Sequence, residues 1–169
     1  MRLSALPFAL AAFYAAPSGA QEVSGTVSGT LDQRPAEWHV RAGGTELPRS
    51  GWRDGTQDQV IQVTGFATRE GQSARDALEL RFVASSGPNG LEAVPGRMVL
   101  HDGPDGKDWT AGPRDITLDL TTLARNDDDL SVSGEATARL TPEDASGSDR
   151  TLSVNVSFET LLQRLPDEE

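Results

Sequence analysis

From Val23 to Leu31 the chain alternates without a break, Val23, Gly25, Val27, Gly29 and Leu31 on one side and Ser24, Thr26, Ser28 and Thr30 on the other. A helix would scatter those apolar positions around its circumference, whereas an extended strand gathers them on one face. The same period returns near the end of the chain. Leu130 to Leu140 sets Val132, Gly134, Ala136, Ala138 and Leu140 on one side, and Thr151 to Leu161 sets Leu152, Val154, Val156 and Phe158 against Ser153, Asn155, Ser157 and Glu159. Half-buried strands are the only regular structure such stretches support.

Between these ends the pattern predicts more strands. Asp32-Gln33-Arg34-Pro35 reads as a turn, after which Ala36, Trp38 and Val40 point inward against Glu37, His39 and Arg41, completing an N-terminal hairpin. Further strands are expected at 59–68, 77–84, 97–101 and 116–123, separated by Gly, Pro and Asp clusters. Seven or eight strands without a long amphipathic helix make an all-β chain, a single-domain antiparallel β-sandwich or barrel over residues 21–165. Residues 161–165 allow one helical turn at most, and 166–169 form an acidic tail.

The first 20 residues stand apart from this fold. Met1-Arg2 precedes an apolar stretch from Leu6 to Ala16, and Ser18 and Ala20 fit the −3 and −1 positions of a secretory cleavage site. The apolar stretch is too short to span a bilayer, which needs about 20 residues. A cleaved signal peptide is expected, with Gln21 as the first mature residue. The periplasm is then the favoured location and full secretion the alternative. The mature 149 of the 169 residues suit one domain, and the loss of Arg2 moves the net charge from −11 to −12.

Charge and composition exclude several functions. With Lys107 as the only Lys and no basic run, the chain has no electrostatic reason to approach nucleic acid or anionic lipid. The absence of Cys removes disulfide scaffolds, thiol nucleophiles and Cys-ligated zinc. Catalysis has little to stand on. There is no Gly-x-Ser-x-Gly elbow and no His-Glu-x-x-His, and His39 and His101 read as surface side chains.

Two features carry candidate sites. In His101-Asp102-Gly103-Pro104-Asp105-Gly106-Lys107-Asp108-Trp109, carboxylates at Asp102, Asp105 and Asp108 recur every three residues on a Gly-rich stretch. If the loop coils, they converge on a calcium ion; if it does not, they serve as turn residues bonding nearby backbone N–H groups. The second feature is Trp52 beside Arg53 in the long connection 43–57, together with Trp109 in the acidic loop. Loop indoles beside charged groups stack on sugars or hold a guanidinium, and the competing reading folds each back as a lid on the end of the sandwich. Asn126-Asp127-Asp128-Asp129 lies between two strands and reads as a turn.

The favoured function is therefore a non-catalytic exported scaffold binding a protein or glycan partner, through the loop Trp residues or an exposed strand edge. A calcium-dependent, carbohydrate-binding module using the 101–109 loop comes second. A hydrolase working through paired carboxylates comes third. No cofactor is expected apart from that calcium ion.

Overall fold

The computed structural model describes residues 23–41, 49–69, 74–88, 90–144 and 150–166. The expected signal segment, the tail beyond Pro166 and most of the connection before Trp52 lie outside the described residues. Ten antiparallel strands make up the fold: β1 (Val23–Leu31), β2 (Arg34–Arg41), β3 (Gly51–Asp54), β4 (Gln59–Phe66), β5 (Leu78–Gly87), β6 (Gly90–Leu100), β7 (Trp109–Ala111), β8 (Ile116–Asn126), β9 (Asp129–Pro142) and β10 (Leu152–Gln163). The all-β antiparallel expectation holds. Among the described residues no helix is long and apolar enough to cross a membrane.

The strands form one sheet that closes on itself. Its hydrogen-bonded order runs β10-β1-β2-β4-β5-β6-β7-β9-β8, and β9 also pairs with β10. The ring closes because Ala136 of β9 pairs on one edge with Val156 of β10 and on the other with Leu118 of β8. Past Leu140, β9 hands over to β7, which joins Thr141 to Thr110 and then Thr110 to Val99 of β6. Of the two architectures expected from sequence, this is the barrel, partly open. Closure is incomplete between β6 and β8. Their Cα atoms come within 8 Å of one another, yet no ladder pairing joins them. Pro95 in β6 has no N–H to give, and the single 3-10 turn Pro113–Asp115 swings β8 away from the line of β7.

Alternation supplies the interior. Val27, Trp38, Val40, Ile61, Val63, Leu80, Phe82, Met98, Leu118, Val132, Val154, Val156 and Phe158 are all buried in one continuous cluster. Phe82 and Phe158 meet across the barrel with ring centroids 6.0 Å apart and planes tilted by 49°. Gly29 lies on this inner face because β1 and β10 press together there. A Cβ would lie 2.8 Å from the Val156 Cα and closer still to the Asn155 carbonyl. The first hairpin turns at Asp32 and Gln33, both at positive φ (49° and 65°), as a two-residue turn between twisted strands requires.

Four elements differ from the sequence expectation. β3 and β7, four and three residues long, are too short to show a period. β6 begins at Gly90 rather than Arg97, its alternation hidden by the bulge that shifts its register against β5 near Arg81–Phe82. The last strand runs on past Leu161 to Gln163, without the one turn that 161–165 would allow, because Leu162 fills the core opposite Leu130.

Candidate functional site

The two loop tryptophans are not loop residues. Trp52 faces inward from β3 opposite Ile61 and is fully buried. Its Nε1 donates to the Asp128 carbonyl at 3.1 Å. The Arg125 and Arg164 guanidiniums lie over its ring, 4.5 and 5.8 Å from the centroid, and both pair with Asp54, at 2.9 and 3.1 Å. Trp109 opens β7 beside Pro142 and is equally buried. Its Nε1 donates to the Pro104 carbonyl at 3.1 Å, and Arg150 covers it at 5.3 Å while pairing with Asp105.

The cation–π contacts expected at these indoles are present, but the cations belong to the protein. Each indole seals part of the barrel, and neither presents a face to a ligand. Nor do the residues converge. Trp52 packs by the C-terminal end of β10, where it bridges to Arg164, and Trp109 lies by the opposite end of that ladder. Arg53 sits on the other face of β3, half-buried, next to Val60 of β4.

Of the two readings of Asp102, Asp105 and Asp108, the geometry follows the turn, and each carboxylate has its own surroundings. Asp108 turns inward, accepting the Asp102 N–H at 3.0 Å through Oδ1 and facing His101 Nδ1 at 3.1 Å through Oδ2. Asp105 pairs with Arg150. Asp102 and Asp105 have left-handed backbones, φ 44° and 77°, and Gly106 follows at 64°. Asp tolerates that conformation better than most residues, so these positions build the turn. Among the described residues no group of three or more His, Asp or Glu is placed to hold a metal ion.

His101 is half-buried between two carboxylates rather than on the open surface. Its Nε2 lies 3.7 Å from Glu79 Oε2 and has no hydrogen-bond partner. Glu79 is buried on the outer side of β5 and takes Arg81 Nε at 2.6 Å and Gln62 Nε2 at 3.3 Å. An Asp–His pair can act as a base when the second nitrogen reaches a hydroxyl. Here that nitrogen faces a carboxylate, so the arrangement fastens the 101–109 loop to β5.

Two features of the outer wall remain. The first is a row of valines, Val60, Val83 and Val94, paired side by side across β4, β5 and β6. Val60 is 46% exposed and Val94 65%, and the row ends beside the seam between β6 and β8. The second is a groove of about 450 Å³ running across β8, β9, β10 and β1. Its central row follows the ladder register from Thr122 to Ser133 to Glu159 to Thr26. Ser131, Leu161 and Ser24 line it alongside, and Val23 forms a rim.

Two bulges flank the groove, one in β8 between Leu120 and Thr122 and one in β1 between Val23 and Gly25. Bulges re-aim side chains and deepen twist, and they recur beside binding sites. Ser24 is the residue out of register in β1, and its Oγ lies 3.4 Å from that of Thr160, which is buried on the core face of β10. Glu159 makes no ion pair among the described residues, and the hydroxyls of Thr26, Thr122, Ser131 and Ser133 make no hydrogen bond with them.

Sequence reasoning passed over these residues because they form the polar side of well-patterned strands, where solvation is explanation enough. One signal was there. The polar sides of β1, β9 and β10 carry Ser24, Thr26, Ser28, Thr30, Ser131, Ser133, Ser153 and Ser157 where long charged side chains would be ordinary. No family model, no curated protein and no solved structure matches this chain.

Proposed function

We propose that this protein is an exported, non-catalytic binding module that works from the outer wall of its barrel. The observation that carries the reading is the groove across β8, β9, β10 and β1, where uncommitted hydroxyls and one carboxylate converge on a volume within the usual range of ligand sites. The filled interior supports it too, since aromatic and aliphatic side chains occupy the space in which other barrels carry a ligand. Export rests on the first 20 residues, and a mature protein whose mass begins at Gln21 in a periplasmic or culture fraction would establish it.

A second location is favoured by one observation, the row of exposed Val60 and Val94 with half-buried Val83 between them, beside the seam. It suits a protein partner, and it is where the expectation of an exposed strand edge comes to rest. Photo-crosslinking in cells separates the two. A benzophenone side chain is placed at Thr122 in the groove or at Val94 on the other wall. Adducts at Thr122 support the groove, and adducts at Val94 alone move the binding function to the valine row. Adducts at neither position would overturn the reading of a binding module.

A further inference from the structure

We propose that the groove is a site for a neutral polyhydroxylated chain, a glycan, bound without a metal ion; this deepens the outer-wall reading and rests on it. Backbone recognition is unavailable there. β8, β9, β10, β1 and β2 are paired in succession, so the ladder consumes the peptide groups beneath the groove. An added peptide strand needs a free edge, and the one bordering this wall, the outer edge of β8, faces β6 across the seam rather than the groove. Recognition is left to side chains, and those present are the uncommitted hydroxyls of Thr26, Thr122, Ser131 and Ser133 around Glu159.

Each hydroxyl both donates and accepts, and an ionised carboxylate accepts through two oxygens. That set matches a ligand whose own groups are hydroxyls. A ligand of phosphates or carboxylates would meet Glu159 with no cation of the groove to offset it. The apolar rim fits the same ligand, since Val23 and Leu161, 40% and 45% exposed, can cover the C–H face of a sugar ring. The Thr122–Ser133–Glu159–Thr26 row crosses three inter-strand spacings, about 14 Å, long enough for a chain rather than a single sugar.

The test is an amide NMR titration of the mature chain, in EDTA, with cellohexaose, maltohexaose and chitohexaose. Shifts confined to residues 24–26, 122, 131–133 and 159–161 with at least one probe support the proposal. Glu159→Gln, an exposed change that leaves the fold intact, should then weaken binding about tenfold, as loss of a charge-assisted hydrogen bond does. Shifts elsewhere, shifts that survive Glu159→Gln unweakened, or silence with all three probes overturn it. Silence combined with crosslinking at Thr122 refutes the glycan alone and leaves the binding module standing. Silence combined with no crosslinking at either position refutes both.

Discussion

Replacing Phe158 by Ala tests the placement of the last strand and, through it, the closure of the barrel. Phe158 is 3% exposed, pairs with Val27 of β1 and Gly134 of β9, and meets the Phe82 ring at 6.0 Å. Burying such a ring contributes about 1.5–3 kcal/mol by transfer alone. The aromatic contact adds about 0.5–1.5 kcal/mol, and the vacated space adds a cavity cost because β1 and β9 are held by their ladders. The total should be about 3–5 kcal/mol, a large share of the roughly 5–15 kcal/mol that holds a domain together. In a chain of this size that lowers the unfolding midpoint by about 10 °C. Guanidinium unfolding followed by fluorescence of the three buried tryptophans reads the loss directly, and the denaturant slope should stay unchanged. The neighbouring change Glu159→Ala points the opposite way from the sheet and should cost less than about 0.5 kcal/mol. A loss under about 1 kcal/mol for Phe158→Ala, or equal losses for the two variants, would refute the register of β10 and with it the floor of the groove.

Four further outcomes follow from the geometry. Gly134→Ala should destabilise by about 1–3 kcal/mol in the same unfolding assay, because the new Cβ would lie 3.1 Å from the Leu120 Cα and closer to the Asp119 carbonyl, both backbone atoms that cannot step aside. Arg81→Ala should cost about 1–3 kcal/mol by stripping buried Glu79 of its 2.6 Å partner, and Glu79→Gln in that background should recover part of the loss in a double-mutant cycle. Trp109→Ala should cost about 3–5 kcal/mol, whereas Arg150→Ala, an exposed partner, should cost less than about 1 kcal/mol; the reverse ranking would make the cation the seal. Thermal unfolding in EDTA and in millimolar calcium should give the same midpoint, and a rise of several degrees would mean that Asp102, Asp105 and Asp108 close around the ion after all.

What could be read from the sequence was whatever repeats every second residue. Val27, Trp38, Val154, Val156 and Phe158 were placed inward by alternation alone, and all five are buried. Trp52 and Trp109 were illegible for a physical reason. Each lies in a strand of three or four residues, between glycines, prolines and charges that look like loop, and only pairing with distant strands fixes them as core. The arginines that cover them come from Arg125, Arg164 and Arg150, far along the chain, and no local pattern announces such partners. The acidic loop shows the limit from the other side. Residue type gave both the calcium and the turn readings, and the choice depended on where Arg150 and His101 would lie. The groove was hidden because a bulge is a matter of register, and register belongs to pairs of strands.

The pairing of β1 with β10 also fixes an order of events. Ser24 and Thr160 touch although they stand 136 positions apart, so the first strand waits for its neighbour until nearly the whole chain is available. β8, β9 and β10 can zip together as a local meander, and β4, β5 and β6 as another, but no sequential hairpin joins these halves into a ring. A nascent chain therefore stays open, the second edge of its β1–β2 hairpin unpaired, until the β10 segment arrives. Such late closure would keep the chain threadable in the export proposed above. It also leaves the alternating β1 segment as the stretch most in need of a chaperone on the way.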